Sequence, residues 1–204
     1  MEGKQDQQAD EGIKTKLVIE RDCLTKVPFK AFRQGDLDGL CGLYAIVSSV
    51  KYLKGVNNAR HHTKLITKIL HHLESKEMTP MLIRYTQGTT LNEIASVLKH
   101  IISPDYGIKR AKPYHRNPKI SIEQFIHGWQ LFLNQNCHGK HKAIILLGVD
   151  MHWTLLYCIT DTRLMLHDSS HNKYYSRQHC CLPDAKIKTT HILYPAHTYF
   201  LSVD

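Results

Sequence analysis

The sequence predicts an α+β protein, helices first and antiparallel strands second. Three observations carry this. Four stretches between Cys41 and Asn134 repeat their apolar residues at helical spacing. From Ala143 the period changes to a continuous apolar run. Two β-rich segments separated by a polar turn then follow.

Each element has its own signal. Residues 1–15 are Gln-, Asp-, Glu- and Lys-rich and read as a disordered leader, so one domain over 16–204 is expected. Lys16 to Glu20 reads as a short extended segment, and Val27 to Arg33 as a linker. Leu43, Tyr44, Ala45, Ile46, Val50 and Leu53 make one broad apolar face, a helix from Cys41 ended by Gly55 and Asn57-Asn58. A second helix covers Ala59 to Ser75, with Leu65, Ile66, Ile69 and Leu70 inward. A third covers Leu91 to Ile102, opened by Thr89-Thr90 with Glu93 placed for a capping box. Ser103 to Gly107 reads as a turn and Ile108 to Ala111 as a short strand. The fourth helix runs from Ser121 to Asn134 with Phe125, Trp129, Leu131 and Phe132 as its apolar set. Ala143 to Val149 is a buried strand, and Trp153 to Ile159 with Arg163 to His167 is a hairpin around Thr160-Asp161-Thr162. Ile192 to Tyr194 and Thr198 to Val203 supply the last strand or two.

Composition narrows the class. With 27 basic against 18 acidic residues the net charge is +9, which favours acidic partners of any kind. The basic residues are scattered and no nucleic-acid motif accompanies them, so a solvated basic surface is expected rather than nucleic-acid binding. Six cysteines without a Cys-x-x-Cys pair do not frame a secreted disulfide module. Met1 to Lys16 has no apolar h-region, and no run reaches the ~18 apolar residues of a membrane span. A cytoplasmic protein is expected, with signal-independent export the route for an exported one.

The chemistry centres on Gln34-Gly-Asp-Leu-Asp-Gly-Leu-Cys41-Gly42, a glycine-punctuated acidic loop that delivers a cysteine to a helix start. Unpaired backbone N–H groups and the helix dipole favour a thiolate there, so Cys41 is the candidate nucleophile. Gln34 can offer a side-chain amide to a developing oxyanion. Asp36 and Asp38 either shape the loop as Asx-turns or select basic substrate residues.

A thiol needs a basic partner held by a third polar group. Among 15 histidines, His61, His62, His71 and His72 lie beside lysines on a helix and read as surface or interfacial residues. His152 stands apart because it opens a strand beside Trp153, after an apolar strand and a turn. Side chains alternate along a strand, so an odd-length turn or a bulge puts Asp168 on the face of His152. A loop centred on Thr160 sets the two directly opposite, and one centred on Asp161 makes them diagonal neighbours. One centred on Thr162 brings Asn172 opposite instead, while a two-residue turn alone puts Asp168 on the wrong face. Cys137, His138 and His141, and His179-Cys180-Cys181, lack the usual pair spacings of structural zinc sites, so neither a metal nor a cofactor is expected.

Gln-Gly-x4-Leu-Cys-Gly opening a helix, His-Trp-Thr after a buried strand, and an Asp 16 residues past that His resemble the papain-like cysteine peptidase superfamily. The compact bacterial branches are nearest in layout: bacteriocin-processing double-glycine peptidases and papain-like effector or toxin proteases. The resemblance spans Phe32 to Ser170. It implies a papain-like fold, Cys41 as nucleophile, His152 as proton partner, Asp168 as orienter and Gln34 as oxyanion donor beside the Cys41 N–H. It also implies a protein substrate and, for a toxin, an inhibitor or immunity protein. Gln34 lies seven residues before the cysteine where six is commonest, so the acidic loop must absorb one residue. The rival expectations are deamidation or acyl transfer on the same fold, and a non-catalytic module that binds through its basic surface.

Overall fold

The computed structural model describes residues 32, 39–76, 88–115, 119–136, 142–187 and 189–204. The leader, the Lys16 to Glu20 segment and the linker to Arg33, apart from Phe32, lie outside the described residues.

The helical half opens with α1 (Cys41–Lys54), whose Ile46, Val47 and Val50 are fully buried, and stops at Gly55 in the left-handed conformation (φ 67°). Helix α2 (Ala59–Ser75) is capped by the Asn58 side chain and buries Leu65, Ile69 and Leu73, with Ile66 and Leu70 half-buried. Helix α3 (Leu91–Val97) starts with the expected capping box, Thr90 serving as the cap and Glu93 reaching back to it.

The turn expected at Ser103 to Gly107 is instead the last helical turn. The chain runs on from α3 through a widened π turn (Leu98–Ile102) into α4 (Ser103–Tyr106), ending at Gly107 (φ 59°). Pro104 lacks the N–H that would bond back along an α-helix and crowds the carbonyl before it. The widened turn, closed by the Ser103 N–H on the Leu98 carbonyl, accommodates the proline without breaking the helix. The fourth predicted helix is α5 (Ile122–Asn136), opened by reciprocal bonds between Ser121 and Gln124.

The strands are β1 (Lys109–Ala111), β2 (Lys142–Val149), β3 (His152–Ile159), β4 (Arg163–His167), β5 (Tyr174–Ser176), β6 (Cys180–Cys181) and β7 (His191–Val203). They pair in the order β1-β7-β2-β3-β4-β5, antiparallel throughout, with β6 parallel to β7 off the main path. The continuous apolar run predicted at Ala143 is explained by its place in this order. β2 lies between β7 and β3 and is covered on both faces, so every residue from Ala143 to Val149 is buried.

The architecture is thus mixed α+β, helices packed on a C-terminal antiparallel sheet, with the helices on both faces. Ile144, Leu146, Trp153, Leu155, Tyr199 and Leu201 face α1, α2 and α3. Ala143, Ile145, Leu147, Leu156 and Leu164 face Phe125, Ile126 and Trp129 of α5. Among the described residues, no helix is long and apolar enough to cross a membrane.

Candidate active site

The site assembles at one end of the sheet, where the start of α1 meets the start of β3. Leu40 enters α1 without a side-chain cap, the first turn holds no acidic residue, and Cys41 is buried at the first helical position. Gly42 follows because a second segment presses on the helix here. A Cβ at Gly42 would stand 2.8 Å from Thr89 Cβ and 2.9 Å from Ile94 Cδ1. That segment is held by the Thr90–Glu93 box and by the Thr89 carbonyl, which accepts the Trp153 indole N–H at 2.9 Å.

The β2–β3 hairpin fixes His152. Val149 pairs with His152 across a tight turn in which Asp150 takes a positive φ of 54°. Asp150 is tied to β7 by its N–H on the Ile192 carbonyl and by its carboxylate accepting the Ile192 N–H at 2.8 Å. Next along the strand, the Trp153 backbone N–H donates to Cys41 Sγ at 3.5 Å.

His152 Nε2 meets Asp168 Oδ2 at 2.8 Å, and the Asp168 side chain has no exposed surface. The other carboxylate oxygen accepts the Ser170 N–H at 2.7 Å, and Ser170 Oγ lies 3.5 Å from the same histidine nitrogen. With Nε2 engaged by Asp168, Nδ1 is the ring nitrogen left to hydrogen-bond Cys41.

The β3–β4 hairpin meets the parity condition by a bulge. Ile159 pairs with Leu164, Thr160 closes on Arg163, and Asp161-Thr162 form a two-residue turn that alone would misdirect Asp168. The register then shifts between Leu156 and Cys158, leaving Tyr157 as the extra residue, and resumes with Leu156 opposite Leu166. Continued toward the strand end, that register sets His152 across from Ser170 and diagonal to Asp168. This is the outcome expected of a loop centred on Asp161. Asn172 hydrogen-bonds the Tyr175 side chain instead of His152.

The charges reinforce one another. Burial alone would depress the His152 pKa, but its bonds to Asp168 and Cys41 and their charges override this and raise it to about 9. Burial would likewise raise Asp168. The bond and charge of His152 outweigh it, with help from the Ser170 N–H, and hold the carboxyl below its usual range.

Gln34, Asp36 and Asp38 lie outside the described residues, as do Cys137, His138 and His141. Among the described residues no group of three or more His, Cys, Asp or Glu side chains could hold a metal ion. Cys41, Cys158, Cys180 and Cys181 are free thiols, and burial leads the causes that push Cys180 up to about 12. His62 is not a surface residue: it is buried, with Nε2 on the Val56 carbonyl and its ring edge-on to Phe32.

No family model, curated protein or solved structure matches the chain. Sequence reasoning missed Thr89 and Ser170 as members of this site. Ser170 was open to discovery once a hairpin centre was chosen. Thr89 touches the site through its carbonyl and its packing on Gly42, which leave no residue-type signal.

Proposed function

We propose that the chain is a papain-like cysteine protease acting on a protein through Cys41, His152 and Asp168. The observation that carries this reading is the chain of contacts from Cys41 to His152 and on to a fully buried Asp168 at 2.8 Å. A purely structural cluster has no need of a buried thiol–imidazole–carboxylate series built from a helix start and two adjoining strands. The resemblance supplies the rest of the constellation, with Gln34 and the Cys41 N–H as oxyanion donors.

On this reading the steps run in order. Cys41 sulfur attacks the scissile carbonyl carbon, forming a C–S bond, and the carbonyl oxygen takes the negative charge. The imidazolium of His152 gives its proton to the leaving amine as the C–N bond breaks. A water then loses its proton to His152 and attacks the acyl-enzyme, releasing the acid and restoring the thiol pair. Asp168 holds the ring so that one nitrogen always faces the sulfur. The resemblance points to an effector or toxin countered by an inhibitor or immunity protein.

Two measurements test the reading. Iodoacetamide at pH 6 should modify Cys41 ahead of the other thiols, and His152→Ala should abolish that selectivity. Equal reactivity of all cysteines would leave the non-catalytic basic module as the better account. Expressing Cys41→Ala as a trap, alongside wild type, should enrich proteins that wild type cleaves. Enriched proteins that are deamidated or acylated rather than cut would redirect the assignment to the deamidase or acyltransferase reading.

A further inference from the structure

Among the described residues, two other than glycine take a positive φ: Asp150 at 54° and His171 at 73°. Such backbone is unfavourable for an L side chain and persists only where the surroundings hold it. Asp150 lies two residues before His152, and His171 lies three residues after Asp168. The strained turns are therefore the two that carry the imidazole and the carboxylate, and the 2.8 Å contact between these groups depends on both.

Each turn has its own brace. The Asp150 turn is tied to β7 by its paired bonds with Ile192. The His171 loop is closed by the Leu166 N–H on the Lys173 carbonyl at 2.9 Å and by the bond between the Asn172 and Tyr175 side chains. One residue joins the two braces. His191, where β7 begins, sets Nδ1 3.5 Å from Asp150 Oδ2 and lays its ring on that of Tyr175, with centroids 4.0 Å apart. Tyr175 is buried. After burial itself, the charges of Asp168 and then Asp150 are the leading causes that raise its phenol pKa, so its hydroxyl answers to the carboxylates of both turns. Cys180, opposite His191 in the β6–β7 pairing, is kept a neutral thiol by burial and brings no charge to compete for Asp150.

We infer that His191 is a positioning residue for the Cys41–His152–Asp168 series: braced on Tyr175 and set against Asp150, it locks the His152 turn to the Asp168 loop. The inference rests on the protease reading above. Catalytic geometry tolerates only about half an ångström of error, so a group that fixes two turns at once acts on the chemistry without touching substrate.

The titration of His152 reads this role, because its midpoint stays near 9 only while Asp168 and Cys41 remain in place. His191→Ala removes both the ring and Nδ1. It should lower that midpoint by about one unit, followed by NMR of labelled histidine, and slow iodoacetamide labelling of Cys41 at pH 6 about tenfold. His191→Phe keeps a ring on Tyr175 and loses only Nδ1, so about half a unit and a threefold slowing should remain. A residue that serves the fold alone would lower the thermal midpoint in both variants and leave the His152 midpoint and the labelling rate where they are in wild type. That result, with Cys41 still labelled selectively in wild type, overturns the positioning role and leaves the protease reading standing. If His191→Ala does not fold, His191→Phe decides by the same two readouts. Unselective labelling of wild type overturns both.

Discussion

His152 and Asp168 are each pulled two ways, by burial against charge and by their bond in its favour. Because the bond wins at His152, its ring should titrate near pH 9 when followed by NMR of labelled histidine. Asp168→Asn removes that charge while burial and the influence of Cys41 persist, so the midpoint should fall well below 9. A midpoint that stays near 9 would show that Asp168 does not hold the ring. Ser170→Ala makes a contrasting case. It deletes only the 3.5 Å contact and keeps the backbone N–H on Asp168, so the midpoint should move by less than about half a unit. Cys41, His152 and Asp168 were legible in the sequence because spacing and strand parity act on residue types that carry chemistry. The Trp153 N–H donor was not, since every residue but proline owns a backbone N–H.

At the scale of elements, the start of α1 is defined by what presses on it as much as by its own periodicity. Alanine is the better helix former by about 1 kcal/mol, so an isolated α1 would gain from Gly42→Ala. In the folded chain the added methyl meets the terminal methyl of Ile94 at 2.9 Å and Thr89 Cβ at 2.8 Å, and the latter, fixed to the backbone, can move only with its segment. Overpacking of this kind costs about 1–3 kcal/mol, so Gly42→Ala should lower the urea midpoint despite the propensity gain. It should also slow iodoacetamide labelling of Cys41, because the Thr89 segment that would shift also anchors Trp153. A raised midpoint would mean that the segment packs elsewhere. The helices themselves were legible from apolar period and caps, as α2 and the Thr90–Glu93 box demonstrate. The π turn before Pro104 and the Tyr157 bulge were not, because each solves a local conflict that period alone does not encode. The bulge has the larger consequence, since it decides which face Asp168 occupies.

For the molecule as a whole, the sheet's order explains what sequence order hid. α5 follows the other helices in the chain, yet it covers the opposite face, and an apolar stripe does not say which side of a sheet it will meet. Enclosing the sheet on both faces also buries histidines, and these set the response to pH. His167 is buried against Tyr157, with centroids 4.3 Å apart, and burial, aided by the Lys51 charge, lowers its pKa to about 4. Between pH 6.5 and 4 the unfolded chain therefore binds a proton at this residue that the folded chain refuses. Stability falls through that window by on the order of 3 kcal/mol. His62 and His72, lowered mainly by burial, add to the same loss, and Asp168 adds its own as the pH falls through its depressed pKa. His152 acts in the opposite direction. Its folded pKa is raised, so its contribution is complete below 6.5 and is lost as the pH rises through about 9. The thermal midpoint should therefore peak near neutral pH and decline on both sides. His167→Phe, which keeps a ring to stack on Tyr157, should flatten the acidic side and leave the alkaline side in place. Asp168→Asn should flatten the alkaline side, because it removes the interaction that raises His152. If His167→Phe leaves the acidic decline between pH 6.5 and 4 unchanged, His167 is not its source, and His62, His72 and His197, each lowered mainly by burial, are the groups left to carry it.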